Sequence, residues 1–201
     1  MTTAIPVPAR EERSDARRNR KRVIKAARDC MARDGLDAQM EEIARRAKVG
    51  VGTVYRHFKT KDDLVEALAA ERFERLRELA LEALEQEDPW ESFAGFMRAS
   101  ARIQTDDRAL SEVLTSRPET MGRAAEAAGI LDLVGEILGR AQAAGLVRDD
   151  AHPYDVPMFM CALAGTCRNP HADPERYTGI ILDGLRAPGG GLTELPPVAA
   201  E

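Results

Sequence analysis

The sequence predicts an all-α chain of about nine helices, a three-helix head followed by a larger helical bundle. Three observations predict it. Apolar residues recur at i, i+3, i+4 and i+7 through most of the chain, the period of one helix face. No stretch alternates with the period of two that marks a strand, and no segment repeats. Start and stop signals, among them Asp88-Pro89, Asp173-Pro174 and the glycines at 35 and 145, punctuate the chain at helix-length intervals.

Each element has its own warrant. Residues 1–16 are expected to be a disordered arm, apolar and proline-bearing to Pro8 and then dense in arginine. Val23, Ala26, Ala27, Cys30 and Met31 set the face of the first helix. Gly35 ends it, and Leu36 is placed to fold back as the contact that accompanies such a cap. Asp37 is the expected cap of a second helix, with Met40, Ile43, Ala44 and Ala47 on its apolar side. In the third, Val51, Val54 and Phe58 fall on one face. The opposite face holds Gly52, Thr53, Arg56 and His57, with Tyr55 at its edge and no carboxylate. That set of donors suits a helix lying against phosphates and base edges.

Thr60 to Asp63 resembles a capping box with aspartate in place of glutamate. It opens a long fourth helix of about 24 residues, or ~36 Å. Asp88 then caps, with Pro89 at the first helical position, a helix whose buried face is Trp90, Phe93, Phe96, Met97 and Ala101. A short helix from Asp107 to Leu114 stops at Arg117-Pro118. Residues 119–144 read as one helix containing Gly122, Gly129, Gly135 and Gly139, which implies either close packing or a kink. The run from Val156 to Thr166 is almost wholly apolar, and a last helix holds Tyr177, Ile180, Ile181, Leu182 and Leu185. Residues 188–201 read as a glycine- and proline-rich tail. The domains expected are thus a 17–62 head and a 63–187 body.

The net charge of −5 hides an asymmetry. Residues 1–61 hold 16 of the 29 Lys+Arg and 8 of the 34 Asp+Glu, a net of +8 against −13 for the remainder. A basic head localises attraction for a polyanion. No apolar run approaches the ~20 residues that cross a bilayer, and the N-terminus has no hydrophobic signal core. The expectation is a cytoplasmic protein with no membrane partner. Cys30, Cys161 and Cys167 match no zinc spacing, and no cofactor is expected. No carboxylate pair with histidine, nucleophile motif or phosphate loop points to an enzyme. His152 and His171 read as surface residues.

Ile43-Ala44, Ala47-x-Val49, Gly52-Thr53-Val54-Tyr55-x-His57-Phe58 and Lys61-x-x-Leu64 together resemble the helix-turn-helix signature of the TetR family of transcriptional regulators. The likeness spans roughly residues 23–68. It departs at Lys48, where a glycine is usual in the turn, and at Gly50, where a serine is common. A non-glycine residue held left-handed costs about 1 kcal/mol. The resemblance implies a regulator that binds a palindromic double-stranded DNA operator as a homodimer. It implies pairing through the last two long helices, a role as repressor, and release by a ligand. Matched by position, Thr53, Tyr55, His57 and Lys61 would anchor phosphates, and Arg56 with Gln39 would read bases. Met40, Val51 and Gly52 complete the contact surface, and Arg17 and Arg20 extend it. A ligand site is expected at Trp90, Phe93, Met97, Ser100, Gln104, Met121 and Phe159, apolar walls with a few polar groups, suited to a small apolar or amphipathic molecule. The same stripe reads as plain core. A thiol-based redox sensor through Cys161 and Cys167, or a regulator with no ligand, is the alternative.

Overall fold

The computed structural model describes residues 10–106, 108–167, 169 and 171–187. Among them are ten α-helices and no strand: α1 Arg10–Asp34, α2 Met40–Ala47, α3 Val51–His57, α4 Lys61–Leu84, α5 Pro89–Asp106, α6 Arg108–Thr115, α7 Pro118–Ala128, α8 Ile130–Ala143, α9 Asp155–Thr166 and α10 Pro174–Leu185. The chain divides into two compact units between Leu68 and Ala69, so the boundary falls within α4, six residues beyond the expected one. The expected tail, 188–201, lies outside the described residues.

In the first unit α1 packs on α2 and α3. Val23, Ala27, Cys30 and Met31 of α1 are buried, as are Ile43, Ala44, Val54, Phe58, Leu64 and Leu68. Helix α1 begins at Arg10, so residues 10–16 continue the helix rather than forming a separate arm. Gly35, at φ 59°, ends it as expected. The cap of α2 is a correction. The segment Gly35–Asp37 forms a 3₁₀ turn, which takes up Asp37 and leaves Gln39 at the N-cap without a side-chain bond to the helix. The capping box of α4 is formed: Thr60 Oγ1 accepts from Asp63 N at 3.1 Å, and Asp63 Oδ2 accepts from Thr60 N at 3.1 Å. Those donors hold the Asp63 carboxyl below the usual range.

In the second unit α5 is central, packed against α8, α9 and α10. Asp88 Oδ1 accepts from Trp90 N at 2.8 Å to start α5, and Asp173 Oδ1 from Glu175 N at 3.0 Å to start α10. The single helix expected over 119–144 is two. Gly129, at φ 60°, closes α7 and opens α8, because two successive chain directions meet at one left-handed residue. Arginine side chains tie the second-unit part of α4 to its neighbours. Arg140 of α8 donates to Leu84 O and Gln86 O, both at 2.7 Å, covering the carbonyls at the end of α4. Buried Arg72 of α4 donates to Ile103 O at 2.9 Å and to Ser111 Oγ at 2.7 Å, and Ser111 Oγ donates to Gln104 O. Arg186, just past the end of α10, is held by a bridge to Val147.

Candidate nucleic-acid interface

The turn between α2 and α3 sets the aim of α3. Lys48 stands at φ 54°, ψ 46°, the left-handed conformation that the missing glycine would have adopted at less cost. Val49 N donates to Ala44 O and Lys48 N to Arg45 O, both at 3.1 Å. This is the paired bonding of a Schellman ending, with lysine in the glycine position. The strain is held in place from a third helix: Arg22 Nη2 of α1 donates to Lys48 O at 2.9 Å. No spacing rule pairs residues 22 and 48, so sequence reasoning missed Arg22.

Helix α3 is seven residues long and rests on Val54, with Phe58 buried just past its end. Val51 is 41% exposed: it does not share the burial of Val54 and Phe58, with which it falls on one face by period, and lies open on the surface where a DNA contact is expected of it. It is the first residue of a seven-residue helix. With Tyr55, 45% exposed one turn later, it makes a small apolar patch beside exposed Gly52 and Arg56. Thr53 and His57 are half-buried at its margin. Arg56 Nη2 lies 3.4 Å from Thr53 Oγ1.

The structure gathers basic groups from two helices here. The Arg20 guanidinium of α1 sits over the Phe58 ring, 5.0 Å from its centroid. Burial lowers the His57 pKa, and the charges of Arg56 and Arg20 lower it further, so the free imidazole is neutral at pH 7. Arg17 is exposed on α1. Gln39 is exposed, and its Nε2 donates to Asp37 O at 2.7 Å. Lys61 is half-buried, and its Nζ donates to Leu36 O at 2.6 Å. Met40 departs from its expected part. Its side chain is in the core at 7% exposure, and only its backbone N–H, in the uncapped first turn of α2, is left to meet a partner. Glu42 and Asp29 pair instead with Arg45 and Arg46, on α2.

In the second unit, Trp90, Phe93, Met97, Ser100 and Gln104 fall within about 80° of one another around α5 at ~100° per residue. Phe93, Met97, Ser100 and Gln104 are buried, and Trp90 and Phe159 pack against the same core. Met121 is half-buried on α7. A surface cavity of about 300 Å³ lies on another flank of α5, lined by Arg98, Ala101, Arg102 and, from α10, Pro174, Glu175 and Thr178. None of the expected ligand residues lines it. Cys161 is exposed, and Cys167 is buried at the end of α9. His152 and His171 are exposed, as expected. Among the described residues no group of His, Cys, Asp and Glu is arranged to hold a metal, and no helix is long and apolar enough to cross a membrane.

A basic three-helix unit with a short donor-rich helix set off by a tight turn defines a helix-turn-helix DNA-binding regulator. Comparison with known proteins places it further. Residues 23–68 match the family model "Bacterial regulatory proteins, tetR family", and residues 88–187 match "Transcriptional regulator SbtR-like, C-terminal domain". The HTH-type transcriptional repressor KstR of Mycolicibacterium smegmatis is 30% identical over 69% of this chain and 68% of its own length. KstR of Rhodococcus jostii is 32% identical over 60% of this chain but only 56% of its own length. A crystal structure of a TetR transcription regulatory protein from Mycobacterium vanbaalenii matches 87% of this chain and 98% of that one, at 41% identity and a TM-score of 0.63. The fold alone is shared with the regulator FadR of Bacillus subtilis in complex with stearoyl-CoA, at 18% identity over 82% of this chain and 96% of that one, TM-score 0.67. The chain belongs to the TetR family of bacterial transcriptional regulators. Family and relatives are transcriptional regulators, not enzymes.

Proposed function

We propose that this regulator is a repressor that binds a palindromic operator as a homodimer and leaves it when a small molecule enters the second unit. The observation that carries the reading is the outer face of α3, which holds Arg56, Tyr55, Thr53 and His57 and no carboxylate, with Arg20 of α1 over Phe58 just past its end. Arg56 suits the O6 and N7 of a guanine, and Val51 suits a thymine methyl. Thr53, Tyr55, His57, Lys61 and Arg17 suit phosphates, as does the uncapped start of α2 with the Met40 N–H.

Pairing is supported by the last two helices. Met158 is 60% exposed and Ile180 55%, on helices otherwise rich in apolar and small residues. Exposed Cys161, Ala162 and Gly165 continue the α9 surface. A twofold contact there would cover it and present two identical heads to half-sites ~34–36 Å apart. The ligand reading is supported by the α5 stripe and by the stearoyl-CoA complex of FadR, which shares the fold. A ligand drives release only through its difference in affinity for the two states of the protein.

Selection of bound duplexes from a random pool tests the reading. An inverted repeat is expected, with affinity that falls steeply as salt rises. A non-palindromic single site, or no salt-sensitive affinity for any duplex, overturns it.

A further inference from the structure

We infer that Lys48 is a DNA-backbone contact of this regulator: its ammonium engages a phosphate from the turn between α2 and α3, and the left-handed strain at that position is tolerated because the charge is needed there. This rests on the reading of the first unit as a DNA-binding head. It adds a contact at the position where lysine stands in place of the family's usual turn glycine.

Four of the described residues have a positive φ: Gly35 at 59°, Lys48 at 54°, Gly129 at 60° and Gly145 at 67°. Each lies just past the end of a helix, α1, α2, α7 and α8 in turn. At three of them the chain uses glycine, which has no Cβ to strain. The fourth makes the same turn by the same bonds. Gly129 N–H is shared between Ala125 O and Glu126 O, and Lys48 N–H between Ala44 O and Arg45 O. The turn therefore has no use for a lysine side chain, and having one adds the left-handed penalty.

Nor does the rest of the fold use it. Lys48 is exposed, so it is not part of the core. The carboxylates of this region are engaged elsewhere, Glu42 with Arg45 at 2.6 Å and Asp29 with Arg46 at 2.9 Å. Among the described residues none bonds or pairs with the Lys48 ammonium. The C-terminal end of a helix does favour a cation. Arg45 and Arg46 already stand in the last turn of α2, and the Arg22 guanidinium lies 2.9 Å from Lys48 O. A further cation there adds repulsion in the free protein. Strained residues persist where the surroundings fix them and function draws on them. Arg22 fixes this one from α1. A polyanion supplies what the protein withholds, a partner for the ammonium and relief of the repulsion. Lys48 stands two residues before Gly50, the N-cap of α3, at the entry to the helix that carries Arg56. A phosphate contact there positions that helix and reads no base.

Lys48→Gly and Lys48→Arg in the full chain test this, each followed by thermal unfolding and by titration over a salt series. The duplexes are the selected inverted repeat and a mixed-sequence duplex of the same length. Lys48→Gly should raise the Tm by about 2–4 °C, because the strain is gone. It should nevertheless flatten the slope of log affinity against log salt by about 0.9 for each head bound, so that its deficit grows about eightfold per head from 1 M to 0.1 M salt. The flattening should be alike on both duplexes. Lys48→Arg should keep the wild-type slope. A residue that served the fold alone would lose stability and affinity together. A Tm of Lys48→Gly that fails to rise overturns the inference. So does an unchanged slope, a flattening confined to the selected repeat, or an equal flattening in Lys48→Arg. An unchanged slope beside a wild type that binds removes this inference alone, whereas a wild type with no salt-sensitive affinity for any duplex removes the regulator reading and this one with it.

Discussion

At the scale of single residues, Arg56 and Lys61 have different surroundings and should fail differently. Arg56 is exposed on α3, with its Nη2 3.4 Å from Thr53 Oγ1. Arg56→Ala should cost about 1–3 kcal/mol on the preferred operator and relax choice at one base position. Lys61 is partly spent on Leu36 O, so Lys61→Ala should weaken all duplexes alike and lower the salt slope by about one. Binding titrations over a salt series on wild-type and base-substituted operators check both; uniform loss in both variants would contradict the assignment. His57 supplies a pH dependence. Its pKa is lowered by burial and then by Arg56 and Arg20. Folding therefore favours the neutral ring, and His57's stabilising effect is present above the unfolded pKa near 6.5 and fades as pH falls below it. A nearby phosphate reverses the electrostatic cause, so binding should take up a proton. Affinity should rise as pH falls from 8 to 6, by no more than about tenfold per unit, and His57→Asn should flatten that rise. Affinity that is flat in the wild type would show that the ring meets DNA neutral.

At the scale of elements, caps and turns were legible where a side chain bonds its own neighbourhood. Thr60 with Asp63, Asp88 and Asp173 each act within four residues, and their chemistry is written in the local sequence. Lys48 was legible through resemblance, since only the usual glycine at that position indicates a left-handed turn. Features that depend on distant partners were not. Arg22 reaches Lys48, Arg140 reaches Leu84, and Arg72 reaches Ser111, and each reads along its own helix as an ordinary charge. Periodicity put Val51 on the face of Val54 and Phe58, while the family resemblance put it on the contact surface; its exposure agrees with the second, because a period assigns a face without knowing whether the first turn is covered. The glycine-rich stretch offered close packing or a kink within one helix; the full break at Gly129 was not among those readings, and the backbone angle there shows it. Gly129→Ala isolates that angle, because an added Cβ there meets nothing within 4 Å. The substitution should cost about 1–2 kcal/mol through φ alone, lowering Tm by roughly 2–4 °C per kcal/mol. No loss of Tm would mean that the chain re-forms one helix across the junction.

At the scale of the whole molecule, the head and the apolar faces of α9 and α10 make one joint prediction. A single head of about 60 residues that touches one half-site binds weakly, and a palindrome rewards only a protein that presents two. A twofold contact covers the same patch on both protomers, so one substitution introduces two charges that pairing would have to desolvate. Ile180→Glu places that charge on a residue 55% exposed in the single chain, where it costs the fold little. The variant should keep its helical content and unfolding midpoint and sediment as a monomer. Its affinity for the full palindrome should drop to that for a single half-site. Met158→Glu, on α9, should do the same. Sedimentation alongside paired titrations of full and half operators separates this from damage to the head, which would lower half-site affinity as well. If Ile180→Glu and Met158→Glu both remained dimeric, the pairing surface would lie elsewhere, and the exposed residues of α9 and α10 would need another occupant.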